Sequence, residues 1–292
     1  MTETANAATT QAKEKAANDN DHLFSQKLEQ IEKALPLSTA AERTRFLIDR
    51  KGDTAAAIAK LGNYLEWRRQ YCDDNMKHLD SWAYATHLAI RAGKHGKTKH
   101  NMSVMSSTLK LPCNTFQHVQ STSNNENGDD NITETKYLHH LPARIDPKLA
   151  DTSVYALALA IYLDHVLDRH STEKVTLVID VRPNHGWANI KAHKLLPFIQ
   201  STVRNLCDLY PTRLNRCIIY PVPSVCKALW KAVKPFVGRD TVKKVCLVTG
   251  PAGKNDKIPK KLNEHLDRDL ISKFEQRRNE GQRPAGRSSL TS

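Results

Sequence analysis

The sequence predicts an α/β fold in which a mostly parallel sheet is flanked by helices and preceded by a small N-terminal helical bundle. Three short apolar segments, at 175–181, 217–220 and 244–248, are rich in Val and Ile and too short for helices, so they indicate buried strands. Segments with apolar residues at helical spacing lie between them. Because strands that alternate with helices pair mostly in parallel, the second half of the chain is typical of this fold.

The first part of the chain predicts the helical bundle. Residues 1–21 are polar and predict a disordered N-terminus, whereas apolar residues recur at helical spacing over 22–92. Thr39 and Glu42 have the spacing of a capping box, and Asp53 stands where it can cap the next helix. We therefore expect an N-terminal helical domain at 22–92.

The rest of the chain divides by composition. Residues 93–135 are rich in Asn, Ser, Thr, His and Gly, which predicts a polar insertion or linker. The alternation of helices and strands occupies residues 136–272, with Tyr137–Leu141 as its first strand. A basic, flexible tail is expected at 273–292.

The chain is strongly basic, and its charge is uneven. It carries 44 Lys and Arg against 31 Asp and Glu, a net charge of +13, and residues 186–250 hold eleven of those cations against two aspartates. Such a surface attracts nucleic acid, anionic membranes or acidic proteins. Aromatic residues make up only 6%, and no nucleic-acid-binding signature accompanies the lysines, which disfavours a nucleic acid partner.

Features that the sequence lacks narrow the class of protein. No apolar run approaches the ~20 residues that span a bilayer, and the first twenty residues hold no apolar segment typical of a secretory signal. The six cysteines include no C-x-x-C pair, as expected for buried thiols in a reducing compartment. No metal-ligand spacing, G-x-S-x-G or phosphate-binding loop occurs. We therefore expect a cytoplasmic protein without a metal site, a catalytic nucleophile or enzymatic activity.

Two groups of short motifs stand in order along the chain. The first is R-F-L-I-D-R-K-G-D at 45–53, followed by L-E-W-R at 65–68. The second consists of Y-P-T-R-L, I-I-Y-P-V-P, K-P-F-V and T-V-K-K-V, at 210–214, 218–223, 234–237 and 241–245. In this order and at these separations, they resemble the CRAL-TRIO lipid-binding family, which includes phosphatidylinositol-transfer, tocopherol-transfer and cellular retinaldehyde-binding proteins.

The resemblance implies a lipid pocket, formed by the sheet and its flanking helices and closed by a movable helix. Residues 224–237 fit that gating helix, because their apolar and cationic side chains are spaced as two faces, as on a helix that lies on an anionic bilayer. An ordinary surface helix packed on the sheet explains the same spacing without the resemblance. The gate and membrane-contact residues that we expect are Val225, Lys227, Leu229, Trp230, Lys231, Val233, Lys234 and Phe236.

The resemblance also implies a lipid headgroup site, made by Arg50, Thr212, Arg213 and Lys244. Arg and Lys suit phosphate because their hydrogen bonds to it are charge-assisted. Thr212 stands where the family has the acid of its P-E-R motif, and a hydroxyl can bind an inositol but offers no carboxylate. The resemblance therefore does not imply specificity for phosphatidylinositol. For Arg213, the alternative role is a salt bridge at the end of a helix.

We therefore predict a lipid-binding or lipid-transfer protein that holds one phospholipid or other hydrophobic ligand, uses no cofactor, and works in the cytoplasm and at anionic membrane surfaces. The alternative is a divergent domain without a ligand that acts as a protein-interaction scaffold. Thr212, Pro221 and the insertion at 93–135 favour this alternative, because the two residues depart from the family's motifs and the insertion offers a surface to a protein partner.

Overall fold

The computed structural model describes two compact units of this chain. The described residues are 19–72, 115–121, 135–145, 147, 151–183, 192–223, 230–231, 233–253 and 256–279. Residues 19–72 and the short segment Asp168–Thr172 belong to the first unit, and the other described residues belong to the second.

The first unit is built from three helices: α1 at 19–34, α2 at Ala40–Asp49 and α3 at Thr54–Tyr71. The expected capping box is present at the start of α2. The Thr39 hydroxyl accepts the Glu42 N–H at 3.1 Å, and the Glu42 carboxylate accepts the Thr39 N–H at 2.8 Å. Asp53 caps α3 by accepting the Ala56 N–H at 3.0 Å, which also confirms the sequence prediction.

Glu42 links the first unit to a distant segment of the sequence. Its carboxylate is fully buried and accepts two hydrogen bonds from Arg169, at 3.0 Å and 2.9 Å. The carbonyl of Arg169 in turn accepts the Thr39 hydroxyl at 2.9 Å. Because a buried carboxylate needs a cation to offset its lost hydration, Arg169 is part of the packing around the start of α2.

The second unit is built on a five-stranded sheet whose strands follow the order of the sequence. The first two strands pair antiparallel, and every later neighbour pairs in parallel. The strands are β1 at Phe116–Ser121, β2 at Thr135–His140, β3 at Val175–Asp180, β4 at Leu214–Val222 and β5 at Val245–Thr249.

Helices connect and cover these strands. The α-helices are α4 at Thr152–Val166, α5 at Ala192–Leu209, α6 at Arg239–Lys243 and α7 at Arg268–Asn279. Short 3-10 turns occupy Pro142–Arg144, Lys234–Phe236 and Lys260–Glu264. Helix α4 is buried along most of its length, which agrees with its apolar sequence.

The two faces of the sheet are covered to different extents. On one face, here called the packed face, Val178, Ile218, Tyr220 and Val248 are at most 3% exposed. They pack against Leu262, Leu266, Leu270 and Phe274 of the C-terminal segment. On the other face the strand register places Ile179, Ile219 and Leu247 side by side. These three residues and Leu177 are only half-buried, and together they are called the apolar floor.

The α/β fold predicted from the sequence, with its largely parallel sheet, flanking helices and N-terminal helices, is confirmed. One strand lies where the composition indicated a linker, since residues 116–121 form β1 within the expected insertion at 93–135. This strand pairs on one side only, so it needs few apolar residues, and its sequence F-Q-H-V-Q-S carries just two. The C-terminal segment of the sheet domain forms the 3-10 turn at Lys260–Glu264, followed by α7.

Candidate functional site

The apolar floor is the part of the sheet best suited to contact a hydrophobic ligand. Ile179 and Ile219 lie on the two central strands of the parallel part of the sheet, where side chains are normally buried on both faces. Their neighbours Val178 and Ile218, which point to the packed face, are 0% and 1% exposed. Ile and Leu side chains at this position are accessible to water. An apolar molecule that covers them lowers the free energy by removing this apolar surface from water.

An aromatic cluster closes the floor at the side of β1 and β2. The His140 ring stacks on Phe116, with ring centroids 4.2 Å apart, and lies 5.6 Å from Phe198 of α5. His140 Nδ1 lies 3.2 Å from the Thr115 carbonyl, to which it donates. Burial lowers the pKa of His140 to about 3, so this ring is neutral and acts as part of an apolar wall.

The expected gate is described only in part. Val225, Lys227 and Leu229 lie outside the described residues. Trp230 and Lys231 are helical, with Trp230 half-buried and Lys231 exposed. Val233 is 5% exposed, whereas Lys234, which begins the 3-10 turn to Phe236, is exposed.

A surface groove of about 630 Å³ lies against the end of the gate segment. Its apolar walls come from Pro235, Val237 and Val242. Three cations line it as well: Lys231, Lys234 and Arg239. A groove with apolar walls and a cationic rim can contact both the acyl region and the anionic headgroups of a membrane surface.

The expected headgroup residues of the second unit meet at the edge of the sheet where β3 and β4 begin. Arg213 is 2% exposed and donates from Nη1 to the Glu173 carbonyl at 2.7 Å. Lys244 donates from Nζ to the Leu214 carbonyl at 2.6 Å. Burial, with a further contribution from the nearby Lys174 ammonium, lowers the pKa of Lys244. Both cations therefore hold backbone carbonyls of their own chain.

Thr212 adopts an unusual backbone conformation. Its φ is +64°, in the left-handed region, which β-branched residues rarely occupy. For an L-residue with a Cβ this conformation costs about 1–2 kcal/mol. The sequence gives no sign of this, because the preceding Tyr-Pro predicts a turn but not its handedness.

Arg50 belongs to the first unit, whereas the other three headgroup residues belong to the second. It follows the last turn of α2, and its Nε lies 3.3 Å from the Asp49 carboxylate. The Arg50 side chain is 40% exposed, so this ion pair is weak and leaves the guanidinium accessible.

A buried ionic network lies on the packed face, at the edge of the sheet where β3 ends. Arg182 pairs with Asp180 at 2.6 Å and with Glu275 of α7, and the Arg182 and Asp180 side chains are fully buried. Burial opposes the charge of Arg182, but hydrogen bonds and charge from Asp180 and then Glu275 outweigh it and raise the pKa of Arg182. Arg278 donates to the Pro183 carbonyl at 2.8 Å. This network fastens α7 to the end of β3.

The role of Glu275 in this network is not predictable from the sequence. The third partner is separated from Arg182 by 93 residues, and no local pattern in the sequence connects them. Arg277 was missed for the same reason. It donates to the His139 carbonyl at 3.0 Å, across 138 residues.

No group of three or more His, Cys, Asp or Glu residues among the described residues could hold a metal ion. Within the same residues, no helix is long and apolar enough to cross a membrane.

Comparison with known proteins agrees with this geometry. Residues 134–274 match the model of the CRAL/TRIO domain. The fold is similar to the crystal structure of Sfh5, with a TM-score of 0.53 and 14% sequence identity over 85% of this chain and 84% of that chain. Comparison with curated protein sequences finds no match. The match over 134–274, which contains strands β2 to β5, shows that this part of the chain is similar to a CRAL/TRIO domain.

Proposed function

We propose that this chain is a lipid-binding protein that holds one hydrophobic ligand on the apolar floor, behind the gate segment 224–237, and exchanges it at anionic membranes. The observation that carries the proposal is the contrast between neighbouring residues of β4. Ile218 is 1% exposed, whereas Ile219 is half-buried on the opposite face. Each methylene group that a ligand buries there contributes about 0.8 kcal/mol.

The cationic groove supports exchange at a membrane. Lys231, Lys234 and Arg239 surround apolar residues at the end of the gate, and an anionic bilayer attracts such a surface with about 1 kcal/mol for each cation near it. Contact with the bilayer would bring the gate to the lipid that it admits. Movement of such an element commonly limits the rate of ligand exchange.

We propose that the headgroup site binds the polar end of the ligand without selecting one type of headgroup. Thr212, Arg213 and Lys244 would bind the polar end of the ligand at the edge of the sheet. Because Lys244 donates one N–H to a backbone carbonyl, it would use its remaining N–H groups for a phosphate oxygen. We therefore assign the ligand to the class of phospholipids and other lipophiles, without a preference for inositol.

The proposal is tested by mass spectrometry of the organic extract from the purified protein. We expect a lipid in stoichiometric amount, and transfer of labelled lipid between vesicles. Ile219→Trp would fill the space over the floor and should abolish the bound lipid while the protein stays folded. The matched control is Ile48→Trp, at a side chain of the first unit that is 53% exposed, and it should keep its lipid. A protein that extracts no lipid from any vesicle composition would refute the proposal.

One observation favours the scaffold alternative. Three of the four headgroup residues contact their own chain: Arg213 and Lys244 bind backbone carbonyls, and Arg50 pairs with Asp49. A domain that had lost its ligand would use these cations in this way. In that case Ile219→Trp should leave the lipid content of the organic extract unchanged, because no ligand is displaced.

A further inference from the structure

Two cysteines lie in neighbouring strands of the sheet but point to opposite faces. In the register of β4 and β5, Cys246 pairs with Ile218, whose side chain points to the packed face. Cys217 directly precedes Ile218 in β4, so its side chain points to the other face. Both thiols are free, but Cys217 is 7% exposed, whereas Cys246 is half-buried. The two thiols therefore have different environments.

Cys246 has a basic partner. Its sulfur lies 3.2 Å from Nε2 of His265, which stands between the 3-10 turn at Lys260–Glu264 and α7. When the imidazole carries its proton on Nδ1, Nε2 accepts the thiol hydrogen. A thiol with a base within hydrogen-bond distance can give its proton to that base and become a nucleophile. Cys217 differs, because burial, with a contribution from the nearby Cys246, raises the pKa of Cys217 to about 12 and keeps this thiol protonated.

A cavity of about 270 Å³ gives small molecules access to this pair. Ile218, which pairs with Cys246 across the two strands, lines it together with His265. A water molecule takes up about 30 Å³ in the liquid, so the cavity has room for an oxidant as small as hydrogen peroxide. Cations line the same cavity, among them Arg216 and Lys243, and positive charge near a thiol favours the reactive thiolate.

We propose that Cys246 is a site of reversible oxidation by hydroperoxides, with His265 as the base that deprotonates the thiol. Nε2 takes the thiol proton, and the thiolate attacks one oxygen of the peroxide. A sulfur–oxygen bond forms as the oxygen–oxygen bond breaks, and the leaving hydroxide takes the proton from the imidazolium to form water. The sulfur is thereby oxidised to a sulfenic acid, and the peroxide is reduced. Other thiols return a sulfenic acid to the reduced form, so the modification is reversible.

The test is the rate at which each cysteine of the full chain is modified, read from its own peptide by mass spectrometry. The protein is treated with hydrogen peroxide and with dimedone, which labels sulfenic acids. Cys246 should be labelled at least about a hundredfold faster than Cys217, because a thiol with a pKa of about 12 is almost never ionised at about pH 7. Unfolding in urea exposes both thiols to water and should bring the ratio of the two rates to about one.

Substitution of the base tests the pairing. His265→Gln should slow the labelling of Cys246 by roughly ten- to thirtyfold, since a thiol without a base is only a few per cent ionised at about pH 7. The matched control is His170→Gln, at an exposed histidine of the first unit. It should change the rate by less than about twofold.

Three results would overturn the proposal: no dimedone adduct on Cys246, equal rates at Cys246 and Cys217 in the folded protein, or the wild-type rate in folded His265→Gln. If circular dichroism shows that His265→Gln does not fold, the ratio of the two rates in the wild-type protein decides alone. The site lies on the face of the sheet opposite the apolar floor. The lipid content of the same samples therefore reports on lipid binding separately.

Discussion

The packed face and the apolar floor are built from the same strands and from the same kinds of residue, yet they are covered to different extents. Val178 and Ile218 contact the C-terminal segment and are almost fully buried. Ile179 and Ile219, each one residue further along, remain half-buried. The difference shows that one face stabilises the fold, whereas the other keeps accessible apolar surface that a ligand can use. Measurements of stability can test this division directly.

The largest effect is expected from the ionic network of the packed face. Asp180→Asn removes the carboxylate that compensates Arg182 and leaves a buried guanidinium short of one partner. We expect a loss of about 3–5 kcal/mol in the free energy of unfolding, measured by urea denaturation. Asp240→Asn, at an exposed ion pair, is the control and should change stability by less than about 0.5 kcal/mol. Equal effects of the two substitutions would show that the network does not fasten α7.

The next comparison uses two neighbouring isoleucines. Ile218→Ala should cost about 2–5 kcal/mol, because it leaves a cavity in the packed face. Ile219→Ala should cost about 1 kcal/mol in the ligand-free protein, because the truncated side chain was already partly accessible. Urea denaturation of both variants after delipidation measures the difference. Equal losses would contradict the division between the two faces.

The third expected effect concerns pH, because adjacent histidines lie on opposite faces. Burial, with a contribution from Arg277, lowers the pKa of His139 well below its usual value of 6.5, and burial lowers that of His140 to about 3. Since the folded state keeps both rings neutral, its stability is complete above about pH 6.5 and is lost as the pH falls from there toward 3. We expect a loss of about 1.4 kcal/mol for each histidine between about pH 7.5 and 5.5.

The substitution His140→Phe tests whether His140 contributes to this pH dependence of the stability. It preserves a ring against Phe116 and should remove about half of the loss in the free energy of unfolding over the same pH range. If this variant keeps the full pH dependence of the wild-type protein, His140 is not one of the titrating groups.

The elements of this fold could be predicted because their signals are local. The runs of Val and Ile at 175–181 and 244–248 identify β3 and β5, and the caps at Thr39 and Asp53 identify helix starts. Strand β1 could not be found in this way. Its polar sequence satisfies an edge strand only when a partner is already present.

The candidate site was less accessible to sequence reasoning. Ile218 and Ile219 are adjacent residues of the same type, so the sequence does not distinguish them. Their burial differs because the segment 260–279 packs on the face of the sheet to which Ile218 points. Arg213 and Lys244 fit a phosphate site by residue type, but their bonds to Glu173 and Leu214 depend on long-range packing.

The pairing of Glu42 with Arg169 has a consequence for biosynthesis. Helices α1 to α3 are translated first, and domains generally begin to fold from the N-terminus as the chain emerges. The cation that compensates buried Glu42 is 127 residues further along. The first unit therefore cannot complete its packing until the ribosome has released the chain as far as Arg169, which includes β1, β2 and α4 of the second unit. The order of translation thus couples the maturation of the two units.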